Sequence, residues 1–423
     1  MKQSIFNTRI PLSTNADILF NAFTEETCII RNSFNMSIKE MDNESLSLMT
    51  QKGFIVDDKV DEAEIIHQEF ENYHSDDTTF KLTVNPTLNC NFRCWYCYET
   101  HKATSNMSKE TVEKVKRCID LLSCKYKSME LSFFGGEPML KYKEMVRPLI
   151  RHLHKTFTDK GLEYSITFTT NGYLITDEII AELRQYNMGI SQITLDGGPA
   201  THNKTRCSAK QDSFRTIVGN IRKMVAARLP VLIRINVTQQ NICEAKEIID
   251  YFKEFTDVEK SLLNVLIQQV WQDVDKDIVD EIWELYSHFV EVGIKPWPRR
   301  FNFYRSACYA DNRHTAVINY NGKIYKCTAI DFDKKDPDGE VDEYGHINID
   351  SAFDRRLNKR KNNRLCANCR ILPLCNGGCS KNVDQSVNRD YCLYPTEEDK
   401  NKLVQRIIRE QLHISRLGLS WTN

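Results

Sequence analysis

Residues 89–97 read NCNFRCWYC, placing Cys90, Cys94 and Cys97 at CxxxCxxC spacing just after a strand-like run, 80–85. Three thiolates this close in sequence can reach one metal centre. They cannot by themselves complete the four protein ligands of a structural zinc site. Two readings follow: a zinc site closed by a distant ligand such as His101, or an iron–sulfur cluster with one iron left open to an added molecule.

Working outward from this loop, strand-like and helical patterns alternate. Strands are predicted at 80–85, 129–134, 164–170, 190–195, 231–237 and 263–270. Helical spacing occupies 108–123, 141–157, 177–186, 212–227, 242–255 and 276–292. Six β/α units imply parallel pairing with right-handed crossovers. Whether the sheet is open or a barrel of six units, ligands belong at the carboxyl ends of its strands, where the three cysteines fall. Before this region, residues 17–31 suggest a hairpin. Helices are predicted over 38–51, ended by Gly53, and over 61–73. A last helix is predicted over 396–417, opened by a Thr-Glu-Glu-Asp cap sequence.

The composition excludes some classes. The chain has 423 residues, 41% hydrophobic and 27% charged, ordinary for a globular protein. Its 57 Lys and Arg balance 58 Asp and Glu, so it lacks the basic surplus of a nucleic-acid binder. No apolar run approaches a membrane span, and residues 1–20 lack the apolar region of a signal peptide. The expectation is a cytoplasmic chain with no nucleic acid or membrane among its partners. The cysteines are the anomaly: of 15, three lie in 90–97 and seven in 308–392, leaving Cys28, Cys118, Cys124, Cys207 and Cys243 scattered. Clustered cysteines without an export signal point to metal or redox chemistry, and an odd total fits disulfide pairing poorly. The stretch 308–392 would have a small core of its own, as regions held together by metal do.

CxxxCxxC after the first strand of a partial β/α barrel resembles the radical S-adenosylmethionine (SAM) enzymes. The resemblance implies a [4Fe-4S] cluster on Cys90, Cys94 and Cys97 whose open iron chelates the amino and carboxylate groups of SAM. An electron from the cluster then cleaves the sulfonium to a 5′-deoxyadenosyl radical. That chemistry is the cofactor's, while the protein binds, orients and excludes water. Further strings match. Tyr96 stands before the third cysteine, where the family uses backbone on the adenine. Gly135, Gly136 and Glu137 of GGEP are assigned to the SAM amino group: glycines admit close backbone approach, and a carboxylate accepts from an ammonium. GGEP by itself reads more often as a plain turn than as a site. Asn171 stands in TTNG at the end of the third strand, where an Asn-Gly turn is the plain alternative. Thr194 opens TLDG and Arg206 follows it, with Arg206 assigned to the SAM carboxylate as a two-pronged anchor.

The second group, Cys308, Cys327, Cys366, Cys369, Cys375, Cys379 and Cys392, includes a Gly322-x4-Cys327 element and a CxxCx5CxxxC centre. It resembles the SPASM domain, which implies two auxiliary iron–sulfur clusters. Cys366, Cys369, Cys375 and Cys392 would hold the outer one; Cys308, Cys327 and Cys379 would hold the inner one, a ligand short. Residues 300–304, RFNFY, supply no further cysteine, so the inner cluster would have an iron open to a thiolate. A zinc ribbon needs paired CxxC elements, and only Cys366 and Cys369 form one. One of the scattered cysteines could also fill that iron, but they read first as small buried hydrophobes.

The fold expected is thus α/β: a partial (β/α)6 barrel at 79–298, an N-terminal α+β extension at 1–78, a cysteine-rich iron–sulfur domain at 299–395 and a C-terminal helix at 396–423. The resemblance implies a peptide or protein substrate and a reductant such as flavodoxin or ferredoxin. One reading is a maturase that cross-links a ribosomally made precursor peptide through a thioether or carbon–carbon bond. Residues 1–78 would then grip the peptide as an added strand, or else merely cover the barrel. A second is an anaerobic sulfatase maturase forming formylglycine. Against it, Phe134 stands where those enzymes carry Gln, and Thr328 stands where they carry a basic Asp, although Asp331 is near. A third is a non-catalytic iron–sulfur scaffold or electron carrier, which leaves GGEP and Arg206 without purpose. No catalytic acid or base is distinguished among Asp331, Tyr304 and His314.

Overall fold

The computed structural model describes residues 1–34, 36–75, 77–208, 212–273, 276–297, 308–385 and 390–419. They form two compact units: Asp77–Pro298 with His314–Asp350, and Met1–Asp76 with Arg299–Arg313 and Ser351–Asn423.

The first unit is built on six parallel strands: β1 Thr79–Val84, β2 Ser128–Phe133, β3 Glu163–Thr170, β4 Ser191–Thr194, β5 Val231–Val237 and β6 Leu263–Gln269. Each pairs with the next in sequence, as successive right-handed β/α units require. Most strands bury one face: β1, TFKLTV, and β2, SMELSF, alternate buried apolar with less buried polar residues, whereas β5, VLIRINV, buries all but Arg234. The helix after β1, Lys109–Lys125, is capped by Ser108, which accepts from Thr111 N at 3.0 Å. It turns Val112, Val115, Cys118, Ile119 and Leu122 inward at helical spacing. The long helix expected over 242–255 is instead broken into short turns, Glu244–Lys246 and Glu247–Asp250. Ile242, Ala245, Ile248, Phe252 and Phe255 remain buried, so the apolar periodicity is met without a continuous helix.

The sheet extends past both ends of the six-unit repeat. Lys295–Pro296 lies parallel beside β6. Thr315–Ile318, from the cysteine-rich stretch, lies parallel beside β1, with Lys81 N donating to His314 O and Asn85 N to Ile318 O, each at 2.9 Å. Lys323–Tyr325, Gly339–Val341 and Ile347–Ile349 continue it antiparallel. Burying the edge of β1 removes a row of unpaired backbone groups. His314 precedes Thr315 at the amino end of this sheet, its Nδ1 2.9 Å from the Tyr126 hydroxyl. It therefore sits at the end opposite the cysteine loop and is not a candidate acid or base.

In the second unit the expected hairpin gains a third strand: Asn7–Pro11, Ala16–Asn21 and Thr27–Arg31 form an antiparallel sheet. The helix expected over 38–51 begins later, at Asn43, where Asp42 caps Ser45 N at 2.8 Å; Ile38–Glu40 is a separate tight turn. Leu19, Ile30, Met36, Met49, Phe54 and Ile55 form the core beneath the sheet. The helix Glu62–Ser75 follows. The C-terminal helix Glu397–Arg416, started by a reciprocal Thr396–Asp399 capping box, packs against Asn7–Pro11. Among the described residues, no helix is long and apolar enough to cross a membrane.

Candidate active site

Beyond β1 the chain turns through 85–91 into a three-residue strand, Phe92–Cys94, which pairs antiparallel with Arg206–Ser208 in the register Arg206↔Cys94. The segment after β4 is thereby laid against the cysteine loop. Cys90 is pushed up to about 12 and Cys97 to about 11 by burial, and the charge of Cys94 raises both further. The three sulfurs thus share one electrostatic neighbourhood. His101 Nε2 lies 3.4 Å from Cys97 Sγ, with Nδ1 3.0 Å from Leu88 O. Among the described residues, no three Cys, His, Asp or Glu side chains converge closely enough to hold a single metal ion. A four-iron cube, in which each thiolate takes a different iron, does not need such convergence, and three thiols on one loop suit it.

GGEP works from below this loop. Gly136 N donates to Thr87 O at 3.1 Å and Glu137 N to Asn89 O at 2.8 Å. A Cβ on Gly136 would stand 2.2 Å from Asn89 O; one on Gly135, whose φ is +94°, would stand 2.6 Å from Thr87 O. The paired glycines thus admit the backbone leading into Cys90, a closer approach than the ligand contact the sequence suggests. The fully buried Glu137 carboxylate accepts from Met139 N (2.9 Å), Thr170 Oγ1 (2.7 Å) and Asn171 N (2.7 Å), which ties the end of β3 to β2. A carboxylate has about four acceptor positions, so room for one further donor remains. Asn171 Nδ2 donates to Asn91 Oδ1 at 2.8 Å and lies 4.0 Å from Cys90 Sγ, reaching the cysteine loop from β3.

A buried polar network closes the other side. Asp196, fully buried past the end of β4, accepts from Asn236 N at 2.9 Å and from the Tyr96 hydroxyl. Arg206 Nη1 donates to the same hydroxyl at 2.6 Å and lies 3.5 Å from Asp196 Oδ2; Asn236 Nδ2 donates to it at 3.1 Å. Arg206 Nε is buried without a partner, a donor that a carboxylate such as that of SAM would satisfy. Thr194, buried, ends β4 opposite Arg234. The Tyr96 carbonyl accepts from Gln272 Nε2 at 2.8 Å.

Asn236, Gln272 and Glu99 were not singled out from the sequence. A polar residue near the carboxyl end of an apolar strand was the available signal for Asn236, and a carboxylate within WYCYET for Glu99. Burial, and then the charge of Asp331, push the Glu99 carboxyl up to about 8, and its Oε1 is buried without a partner. Asp331 is instead engaged by Thr100, accepting from N at 3.2 Å and from Oγ1 at 2.7 Å. Tyr98 and Trp271, both exposed, stack with centroids 5.5 Å apart.

Cys366, Cys369, Cys375 and Cys392 are gathered in the second unit. Burial pushes Cys366 up to about 11 and Cys375 to about 12, and Cys369 and Cys392 raise both. Cys308 and Cys379 belong to this unit too, whereas Cys327 belongs to the barrel unit. Residues 300–304, Tyr304 included, lie outside those described.

Residues 84–252 match the radical SAM superfamily. The radical SAM cyclopropyl synthase TigE of Paramaledivibacter caminithermalis is 21% identical, over 92% of this chain and 88% of its own length. The cysteine-type anaerobic sulfatase-maturating enzyme of Clostridium novyi is 24% identical, over 72% of this chain and 89% of its own. The structure of Streptococcus suis SuiB bound to precursor peptide SuiA is similar with a TM-score of 0.55 at 14% identity, over 92% of this chain and 98% of that one. That likeness speaks for the fold. A non-catalytic scaffold is thereby set aside: the three-cysteine loop stands at the carboxyl ends of the barrel strands, within the stretch 84–252 that matches the radical SAM superfamily, whose members work with a [4Fe-4S] cluster and SAM.

Proposed function

We propose that the chain is a maturase that cross-links a ribosomally made precursor peptide. The observation that carries this reading is the cysteine loop clasped between Gly135–Glu137 and Arg206. Cys90, Cys94 and Cys97 would hold the cluster, and Arg206 and Glu137 would hold the two ends of the SAM amino acid. Bound there, cluster and SAM supply a carbon radical able to take a hydrogen atom from a peptide. The chain's own part is to orient and seal. Asp196 and Asn236 fix the Tyr96 hydroxyl, which fixes Arg206. Exposed Trp271 and Tyr98 offer aromatic surface to a substrate at the barrel mouth. Thr27–Arg31 is an edge strand of its sheet with Ile29 67% exposed, suited to pairing with an extended leader segment. Cys366, Cys369, Cys375 and Cys392 would hold one auxiliary cluster. A flavodoxin or ferredoxin would supply electrons.

The sulfatase-maturase reading stands beside it, supported by the Clostridium novyi relative, which this chain covers almost fully. Asp331 is committed to Thr100, which weighs against that aspartate as the base this reading needs. Co-expression with a short peptide encoded beside the gene, followed by mass spectrometry, separates the two. Loss of two hydrogens per cross-link supports the maturase. An unmodified peptide, together with a new aldehyde on a sulfatase-derived cysteine or serine peptide, supports the alternative.

A further inference from the structure

Arg360 lies on the helix Ser351–Lys361 of the second unit with only 6% of its surface exposed. Its Nη1 donates to the fully buried Asp311 carboxylate. Its Nε donates to Asn376 O at 2.8 Å, and Nη2 donates to the same carbonyl. The guanidinium lies 4.5 Å from the centre of the Phe70 ring. The other Asp311 oxygen accepts from Ser380 Oγ. Asn376 follows Cys375 and Ser380 follows Cys379, so one buried cation is wired to the segments carrying both thiols.

The backbone is shaped to admit this side chain. Asn376, Gly377 and Gly378 have φ of +51°, +76° and +76°. A Cβ on Gly377 would stand 3.2 Å from Arg360 Cγ and Nε. A small cavity lined by Phe70, Arg360, Cys366, Leu372, Asn376 and Gly377 puts the guanidinium and the Cys366 thiol on shared walls.

A buried ion pair is a poor way to gain stability, because desolvation offsets the attraction. Its use here must come from the charge itself. Guanidinium stays protonated at all working pH values. Four thiolates on an iron–sulfur cluster make an anion that becomes more negative on taking an electron, and nearby cations favour that state. We propose that Arg360 raises the reduction potential of the cluster held by Cys366, Cys369, Cys375 and Cys392. The step is the transfer of one electron from an external reductant to the cluster, with no bond made or broken in the protein. This inference rests on the reading that those four cysteines hold a cluster.

The test uses the full-length chain with Cys90, Cys94 and Cys97 replaced by Ala, reconstituted anaerobically and titrated with dithionite while its paramagnetic resonance is followed. The signal lost in a Cys369→Ser variant identifies the cluster in question; if no signal and no iron are lost, the cluster reading fails, whatever Arg360 does. Given that signal, Arg360→Met is expected to move its midpoint to a more negative potential, Arg360→Lys to restore most of the shift, and Asp311→Asn to move it more positive. Because Arg360→Met leaves Asp311 unpaired, the Arg360→Met/Asp311→Asn double variant is measured too. If iron is retained and neither Asp311→Asn nor the double variant moves the midpoint, the proposal is overturned.

Discussion

Arg206 and Cys94 face each other across a two-strand antiparallel ladder, in a chain where 112 positions separate them. The pairing fixes the backbone of the middle cysteine to the segment that carries Arg206. Displacing either strand therefore disturbs both the cysteine loop and the group proposed to hold SAM. The side chain of Arg206 leaves this ladder toward Tyr96 and Asp196, keeping Nε free.

Arg206→Ala is expected to lower the stability of the metal-free protein by about 3–5 kcal/mol, the usual cost of stripping a partner from a buried charge. Arg206→Lys keeps the charge but loses the fork, so it should raise the KM for SAM more than it lowers kcat for 5′-deoxyadenosine release. Chemical unfolding and single-product kinetics at matched iron content check the two. Unchanged SAM affinity in both variants would show that the orphan donor has another partner.

Gly136→Ala should cost the cluster before it costs the fold. The added Cβ would stand 2.2 Å from Asn89 O, a backbone atom that can move only by shifting the loop into Cys90. Gly161→Ala is the control: its φ is +66°, so the strain is about 1–2 kcal/mol, but the Cβ meets nothing within 4 Å. Iron and sulfide analysis after anaerobic reconstitution should show a clear deficit for Gly136→Ala and wild-type loading for Gly161→Ala.

His202 makes the barrel sensitive to acid. It is fully buried, accepts from Asp196 N at 3.2 Å through Nδ1, and has no partner at Nε2. Burial, then the charge of Arg206, push it down to about 2. Its folded value lies below the unfolded one near 6.5, so unfolding takes up a proton whenever the pH is below about 6.5. Stability is fully present above that value and falls toward acid by up to about 1.4 kcal/mol per pH unit. Between pH 7 and 5.5, urea unfolding of the metal-free protein should lose about 1 kcal/mol through this group, a loss absent in His202→Gln.

Much of this architecture was written locally. Alternating burial marks β1 and β2, a nearly unbroken apolar run marks β5, and Ser108 and Thr396 announce their helices by capping. The three-cysteine loop was legible because its chemistry is confined to eight residues. What escaped was non-local. Thr315–Ile318 beside β1, and Arg206–Ser208 beside Phe92–Cys94, pair segments with no sequence signal for each other. Besides the role expected of it, the Glu137 carboxylate takes two donors from the end of β3, Thr170 Oγ1 and Asn171 N, which spacing cannot reveal. The strand Asn7–Pro11 was hidden by its mixed polarity and terminal proline.

The free edge of the N-terminal sheet gives the last prediction. Among the described residues, Thr27–Arg31 pairs on one side only, with Ala16–Asn21, in the register Ile18↔Ile29. Ile29 is 67% exposed, so Ile29→Lys should change stability by no more than about 0.5 kcal/mol. A lysine on an exposed edge is a common natural block to strand addition. If the edge receives a leader segment, fluorescence anisotropy with labelled precursor peptide should show at least a tenfold weaker Kd for Ile29→Lys, while peptide-independent release of 5′-deoxyadenosine stays at the wild-type rate. Equal affinity for variant and wild type would move peptide recognition away from this strand, and the exposed Tyr98 and Trp271 at the barrel mouth would then be the surface to substitute next.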